Sequence, residues 1–514
     1  MNLEEKRGVR RVKGSPQSSG LFERLLHTSV PVLWAALLVL IPITSFPPVA
    51  NVAGGIVGPL AGVPALLLLA LLVVPRLLKG NPLPPLSGPL FAFVGIAVLA
   101  SVAAVILELY PYLGQTVMGR SLRALATLGI GLGFYLVAAT YPTTEGRLRA
   151  SLRWLAVGGI AMLTWSTVQA FFTIKQEQIP WRLNEFHRLF SVRDLSSDRV
   201  TGLAYEPSWL ADQLVVLYLP IWLAAILSGV SAFKKLAGRI PVEALLLGWG
   251  LIILVLTKSR IGLLSALAVA AGFGGLAIWR LAGRAARAEE TTGSGSVRSR
   301  SRTRLGLRLV LLLTLLAVLI GGVYLLSQYD PRLERIFTAR PPQLAGGATA
   351  LYGYANQLAY AERVMYWASG LKTFGRYPLL GVGLGNSGFL FRETVPVFGY
   401  ALPEIINILN GADQFPNPKS LWIRLLAETG LAGFLTFVLW IGAMALAGSR
   451  LTRGRSAVLR TVGLAGAIAL AAQVFEGFSL DSFALPQLWI MLGLVTAAYS
   501  CGFGGQDHLD DGKA

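Results

Sequence analysis

The chain has a single cysteine, Cys501, among 514 residues, which excludes an internal disulfide and a cysteine-based zinc site. Histidine is nearly as scarce, with three copies, and the carboxylates Asp194, Asp198, Asp330, Asp413 and Asp481 are scattered without the spacing of a metal site. Acidic residues number 26 against 45 Lys and Arg, for a net charge of +19. In a soluble protein that excess would suggest a nucleic-acid partner. Here charged residues are only 14% of the chain and hydrophobic ones 54%, with a mean hydropathy of +0.61. The apolar residues fall in runs of about 20, the length that crosses a hydrocarbon core as helix, and alternating barrel strands are absent. The fold class is therefore all-α: a polytopic membrane helix bundle with no nucleic-acid partner.

About twelve spans are expected, near 28–47, 57–75, 88–108, 121–140, 151–173, 207–229, 242–257, 261–280, 306–327, 424–447, 460–478 and 486–503. The N-terminal stretch 1–27 is basic and precedes an apolar run, but no small-residue cleavage site follows. It reads as a cytoplasmic tail before a retained first span. Lys6, Arg7, Arg76, Lys79, Arg147, Arg149, Lys234, Lys235, Arg450 and Arg453 all fall in loops on one side. The bias of Lys and Arg toward inner loops makes that side cytoplasmic, together with the tail 504–514. The Ser/Gly/Arg-rich stretch 281–305 lacks hydrophobic periodicity and reads as a disordered cytoplasmic loop resting on anionic lipid.

Two long segments remain for the outer side, 174–206 and 328–423, ahead of the closing spans in 424–503. Both are rich in arginine, against the orientation rule. The first carries Arg182, Arg188, Arg193 and Arg199. In the second, Tyr360, Val364, Trp367 and Leu371 recur at helical spacing, which predicts an amphipathic helix on the outer face bearing Arg363 and Lys372. Arg120 and Arg123 open the fourth span, and Arg260 lies in a connection so short that two spans must form a tight hairpin. For each alone, snorkelling to the interface is a sufficient explanation. Together they suit a phosphate or diphosphate, because guanidinium is permanently charged and forks onto phosphate oxygens.

Four stretches carry a family resemblance. "RVTGLAYEPSWLADQL" resembles the Arg-x-x-Gly rim of the O-antigen polymerase and O-antigen ligase superfamily, and "LTKSRIGLL" resembles its Ser-Arg hairpin. "ERVMYWASGLKTFGRYPLLGVGLGN" is similar to its Arg-x-x-x-Trp segment with a glycine-rich turn. "PNPKSLWIRLLAETGLAG" is similar to the entry into its late Glu-x-Gly span. The resemblance runs from about 199 to 435. It implies a GT-C-like glycosyltransferase that moves a glycan from undecaprenyl diphosphate to an acceptor outside the bacterial inner membrane, without nucleotide sugar, cofactor or metal. In ligases of the family a histidine stands about nine residues before the Glu-x-Gly glutamate; here Lys419 occupies that place. This departure favours the polymerase branch.

What such a transfer must stabilise is the negative charge building on the departing diphosphate. Arg199 and Arg260 are the first candidates, then Arg120, Arg123 and Arg363, with Arg188, His187 and Trp367 as further contacts to diphosphate or glycan. Glu206 either takes the acceptor's proton, pairs with Arg199 or caps the sixth span, where Pro207 marks a first helical turn. Lys419 is either a further cation or, with its pKa depressed, a base. His187 has a suitable ordinary pKa, although a surface position is the plainer reading. "GVGLGN" reads as a turn folding back over the cavity, since no strand precedes it to make a dinucleotide site. The expected function is polymerisation of undecaprenyl-diphosphate-linked oligosaccharide units on the outer membrane face. Membrane lipids and a chain-length regulator are expected partners. An O-antigen ligase acting on lipid A core is the alternative in chemistry, and a lipid-linked oligosaccharide flippase the alternative of another class.

Overall fold

The computed structural model describes residues 19–503 apart from 54, 176–177, 234–240, 274–309, 311–312, 315, 318–319, 326, 329–330, 341–346 and 412–414. The basic loop expected at 281–305 and the tail 504–514 lie outside the described residues, as do Asp330 and Asp413. Among the described residues there is no strand, only isolated bridges such as Ser45 with Gly58.

Fourteen helices serve the description: α1 Ser19–Leu40, α2 Gly62–Leu78, α3 Gly88–Leu107, α4 Val117–Thr140, α5 Glu145–Lys175, α6 Trp181–Arg188, α7 Pro207–Ser228, α8 Val242–Leu256, α9 Arg260–Phe273, α10 Ala361–Arg376, α11 Pro403–Leu409, α12 Leu421–Thr452, α13 Ala457–Glu476 and α14 Pro486–Phe503. Six of them, α3, α4, α5, α7, α12 and α13, are long and apolar enough to cross a membrane. The expected count of about twelve is not confirmed. Four further apolar helices, α1 from Thr28 onward, α2, α8 and α9, have 10–17 residues each among the described residues.

The helix α7 is central, with 83% of its apolar window buried, whereas α3 at the periphery has 33%. Small residues let the backbones close up, as expected where lipid is as apolar as leucine and packing must hold helices together. A Cβ on Gly493 of α14 would stand 2.9 Å from the Tyr135 carbonyl of α4, and one on Gly448 of α12 3.0 Å from the Gly463 carbonyl of α13. Between these contacts an aromatic core forms, with Trp440 stacked on Trp489 at 5.5 Å and edge-on to Tyr135 at 5.4 Å. The Tyr135 hydroxyl is satisfied by Thr496 at 3.1 Å.

Two spans contain a wider, π-type turn, Leu69–Val73 in α2 and Leu214–Tyr218 in α7. Each turn lies just ahead of a proline, Pro75 and Pro220. Proline lacks a donor and its ring presses on the carbonyl four residues back, here Leu71 and Val216, so the helix widens at those points.

The deepest departure from regular helix is in α12, where Gly430 takes φ 62° and ψ −166°, a conformation nearly confined to glycine. The stretch 377–387 fills the break. Pro378 and Leu379 carbonyls accept from Leu431 and Ala432 N–H at 2.8 and 3.2 Å, and Val382 N–H donates to Ala427 at 3.0 Å. The backbone groups freed by the break are thereby satisfied within the protein, as a hydrocarbon surrounding requires. Substituting Gly430→Ala would place a Cβ 2.3 Å from the Leu379 carbonyl. Its expected cost is about 2 kcal/mol or more, visible as a lower melting temperature in detergent; an unchanged melting curve would show that the break tolerates a side chain.

Candidate active site

The segment leading into α7 is irregular backbone anchored by one buried side chain of α5. Gln169 accepts at Oε1 from Thr201 N–H (2.8 Å), the Thr201 hydroxyl (3.1 Å) and Gly202 N–H (3.0 Å). Its Nε2 donates to the Ser196 and Arg199 carbonyls at 2.8 and 3.0 Å. Gly202 has φ 59° and fits against Ser166 and Leu210. So held, Arg199 donates from Nε to the Thr257 carbonyl at 2.9 Å, while Val200 N–H donates to Leu256 at 3.1 Å. The rim arginine is thus fastened to the α8–α9 hairpin, three residues before Arg260.

Arg260 reaches the other way. Its guanidinium donates to the Leu358 carbonyl and, at 3.0 Å, to that of Ala359, and it lies over the Tyr360 ring at 5.1 Å. Arg363, on the first turn of α10, approaches the same ring at 5.8 Å. Arg363 also donates to the Ser479 and Lys419 carbonyls at 3.0 and 3.4 Å. Tyr360 is therefore flanked by guanidinium groups from sequence positions a hundred residues apart. Its hydroxyl is enclosed with no hydrogen-bond partner, and burial pushes its pKa up against the pull of the two arginines.

Asp481, in the α13–α14 connection, is the second focus. It interacts electrostatically with Arg424, Glu428, Arg363 and Lys419 and also with Arg120. Burial pushes its pKa above the ordinary carboxylate range, although Arg424, Arg363 and Lys419 oppose the shift. Its Oδ2 is enclosed and without a partner. Arg424 clamps the loop by donating to the Asp481 carbonyl at 2.6 Å and pairs with Glu428 at 2.9 Å. Glu428 in turn accepts from Gly385 N–H at 2.7 Å and the Ser387 hydroxyl at 2.8 Å, and Arg120 donates to the Gly385 carbonyl at 3.3 Å. The glycines of the GVGLGN turn have φ of 65°, 83° and 86° and press on α12, α3 and α4 respectively. The turn is a structural wedge beneath the site.

Lys419 is held by Glu404 of α11 at 2.6 Å and lies over the Tyr366 ring at 4.4 Å. Burial opposes ionisation of Glu404, but Lys419, the Tyr366 hydroxyl and Arg363 together outweigh it and hold the carboxyl below its ordinary range. The ion pair and the ring fix the Lys419 amine beside α10 and α11.

Several expected residues are placed elsewhere. Glu206 pairs with Arg193 at 3.6 Å and accepts from the Ser208 hydroxyl; it does not pair with Arg199, and its carboxylate makes no capping bond to α7 although its backbone occupies the cap position. Arg123 donates to Gln115 and to the Gly119 carbonyl on the exposed face of α4. Arg188 forms an exposed ion pair with Asp194 at 2.7 Å. His187 is not on the surface: it is buried, accepting at Nδ1 from the Trp165 indole at 3.3 Å. Trp367 packs between Tyr360 and Phe478 at 5.7 and 5.5 Å, backing the tyrosine. The amphipathic helix expected around Val364 and Leu371 exists as α10, but its buried stripe is Ala361, Met365, Tyr366, Ser369, Gly370 and Thr373, and Leu371 is exposed.

Sequence reasoning passed over Gln169, Tyr360, Arg424 and Asp481. Asp481 had been counted among scattered carboxylates, and Arg424 and Glu428 were separable only by their four-residue spacing on one helix face. Among the described residues no group of histidine, cysteine and carboxylate side chains is arranged to hold a metal ion.

Two outcomes follow from these environments. Burial depresses His187 to about 4, whereas the unfolded chain binds that proton near 6.5. Stability from neutral His187 is full above that value and falls as pH drops toward 4, by about 2 kcal/mol at pH 5. The melting temperature should fall between pH 7.5 and pH 5, and His187→Phe should flatten that dependence; equal slopes would refute it. For Asp481 the sign is opposite, since its raised pKa makes the ionised form costly at neutral pH. Asp481→Asn is expected to melt no lower than the parent at pH 7.5, checked by the same scan.

Residues 245–438 match the family described as O-antigen ligase, and no curated protein matches the chain. The matched segment contains Arg260, Tyr360, Arg363, Lys419, Arg424 and Glu428, while Arg199 and Asp481 lie outside it and are bonded to it. The match supports a relation of residues 245–438 to the O-antigen polymerase and O-antigen ligase superfamily.

Proposed function

We propose that the protein is a membrane glycosyltransferase that joins oligosaccharide units carried on a polyprenyl diphosphate, with its site on the outer face of the bacterial cytoplasmic membrane. The observation that carries this reading is the meeting of Arg199, Arg260 and Arg363, from three separate segments, around one hairpin and one tyrosine. Fixed cations in a poorly hydrated place stabilise charge appearing on a departing diphosphate and need no reorganisation as the bond breaks. The orientation follows from the loops rich in Lys and Arg at the opposite end. There Arg153 donates to the Ala232 carbonyl and Arg450 to the Tyr499 hydroxyl.

An apolar crevice lies below the arginines, walled by Val215 and Leu219 of α7, Leu247 and Leu251 of α8, and Ala266 and Val269 of α9. At 1.5 Å per residue, its α9 wall begins about 9 Å below Arg260, which suits a prenyl chain whose diphosphate is gripped above. Asp481, with its raised pKa beside four cations, is the carboxylate best suited to receive the acceptor hydroxyl's proton.

Polymerase is preferred to ligase because Lys419 stands in the place of the ligase histidine and is held by Glu404. The ligase reading draws on the family description itself. A flippase would need its cations deep in the spans and open to both sides, whereas these gather at one rim.

The test is purified protein with one synthetic undecaprenyl-diphosphate oligosaccharide. A ladder of multiples is expected. Product only after lipid A core is added would make it a ligase, and movement across vesicles without a new glycosidic bond a flippase. Arg260→Ala and Arg363→Ala should each lower the rate about 100-fold or more, and Arg123→Ala should stay within about twofold, because its side chain is turned to α4's exposed face. Loss in Arg123→Ala with full turnover in the other two would refute the site.

A further inference from the structure

A small pocket lies behind Asp481, on the side facing the helices. Its lining is mixed: Asp212 of α7, Gln473 of α13, Gln487 of α14, and Asp481 with Ser482 of the connecting loop supply polar groups among apolar side chains such as Leu480, Leu485 and Leu488. Gln487 is 1% exposed; its Nε2 donates to Asp212 Oδ2, and its Oε1 has no partner. Asp481 Oδ2 is the other enclosed acceptor without one. Both unpartnered atoms in the lining are acceptors, so the occupant they call for is a hydrogen-bond donor. Buried acceptors are rarely left unmet, and a polar space with several such groups is where buried water resides.

Beyond the pocket the polar track continues. Asp212 and Glu476 interact electrostatically, and Glu476 accepts from the Ser265 hydroxyl of α9 at 2.9 Å. Both carboxylates sit in spans, 4% and 1% exposed. Ionisable side chains at such depth are costly and point to a task.

We propose that this pocket binds water, which donates to Gln487 Oε1 and Asp481 Oδ2, and that the water carries the acceptor's released proton from Asp481 on to Asp212. This rests on the transferase reading. As the acceptor oxygen bonds to the anomeric carbon, the bond from that carbon to the phosphate oxygen breaks and its electron pair leaves with the diphosphate. The acceptor's proton moves to the Asp481 carboxylate and then, through water, to Asp212. Asp212 touches no substrate; it holds the proton while the products depart and then returns it through the same water to Asp481 and the emptied site, from which it leaves to the surrounding water, so that both carboxylates are free for the next turnover.

The first measurement is a cryo-EM map of the full chain in nanodiscs, detailed enough to show ordered water. Density within hydrogen-bond distance of both Gln487 Oε1 and Asp481 Oδ2 is expected; a closed or empty pocket would overturn the water site. The map requires no activity, so it separates failure of this site from failure of the transferase reading. The second is steady-state kinetics of Asp212→Asn, which keeps the shape and a partner for Gln487. The expected result is a fall in kcat of about tenfold or more at unchanged donor KM, with recovery in Asp212→Glu. Unchanged kcat in Asp212→Asn would overturn the relay, as would activity that depends on sodium and is lost in choline chloride, since the occupant would then be a metal cation.

Discussion

Backbone amides inside a bilayer have no water to turn to, and much of this molecule follows from how that constraint is met where the chain leaves regular helix. At the break in α12 the stretch 377–387 supplies the missing partners, and at the entry to α7 a single side chain, Gln169, supplies five hydrogen bonds to the irregular segment 196–202. Irregular backbone at membrane depth is tolerated where protein buries it. Both devices aim side chains: one presents Arg199, the other sets Glu428 against Gly385 and Ser387 and Arg424 against the Asp481 loop.

Charge is arranged on that frame in two linked layers. Arg199, Arg260 and Arg363 gather around the hairpin and Tyr360, and Asp481 draws Arg120, Arg363, Lys419 and Arg424 toward the adjoining loop. Arg363 belongs to both. Several of these cations spend hydrogen bonds on backbone carbonyls, those of Thr257, Leu358, Ala359, Ser479 and Gly385. A carbonyl orients a guanidinium through a neutral dipole, which fixes the fork's direction. Carboxylate partners occur both within the second layer, as in Arg424 with Glu428 and Lys419 with Glu404, and apart from both layers, as in Arg188 with Asp194 and Arg193 with Glu206.

Part of this was legible in the chain. Arginine placed against the orientation rule pointed to Arg199, Arg260 and Arg363, because the cost of such placement is the same in any fold. Hydropathy pointed to membrane helices, six of which are long and apolar enough among the described residues, while much of the expected spans 261–280 and 306–327 lies outside those residues. Glu206 and Arg199 stand seven residues apart in sequence, yet Arg193 takes the glutamate and the α8–α9 hairpin takes the arginine. On α10 the spacing of Tyr360, Val364, Trp367 and Leu371 pointed to the helix but not to the face that packs on protein, that of Met365, Tyr366 and Ser369.

The sequence by itself determined an all-helical membrane protein, the ends at which its basic residues concentrate, and the glycine pattern without which the 381–386 turn could not press on three helices. Only the tertiary structure decided which cations meet, that Asp481 is their common neighbour, and that Asp212, Glu476 and Gln487 share the space behind it. Helical periodicity and hydropathy are properties of neighbouring residues, whereas the partners of a charge inside a bundle are chosen by contacts hundreds of residues apart, such as Asp212 with Gln487.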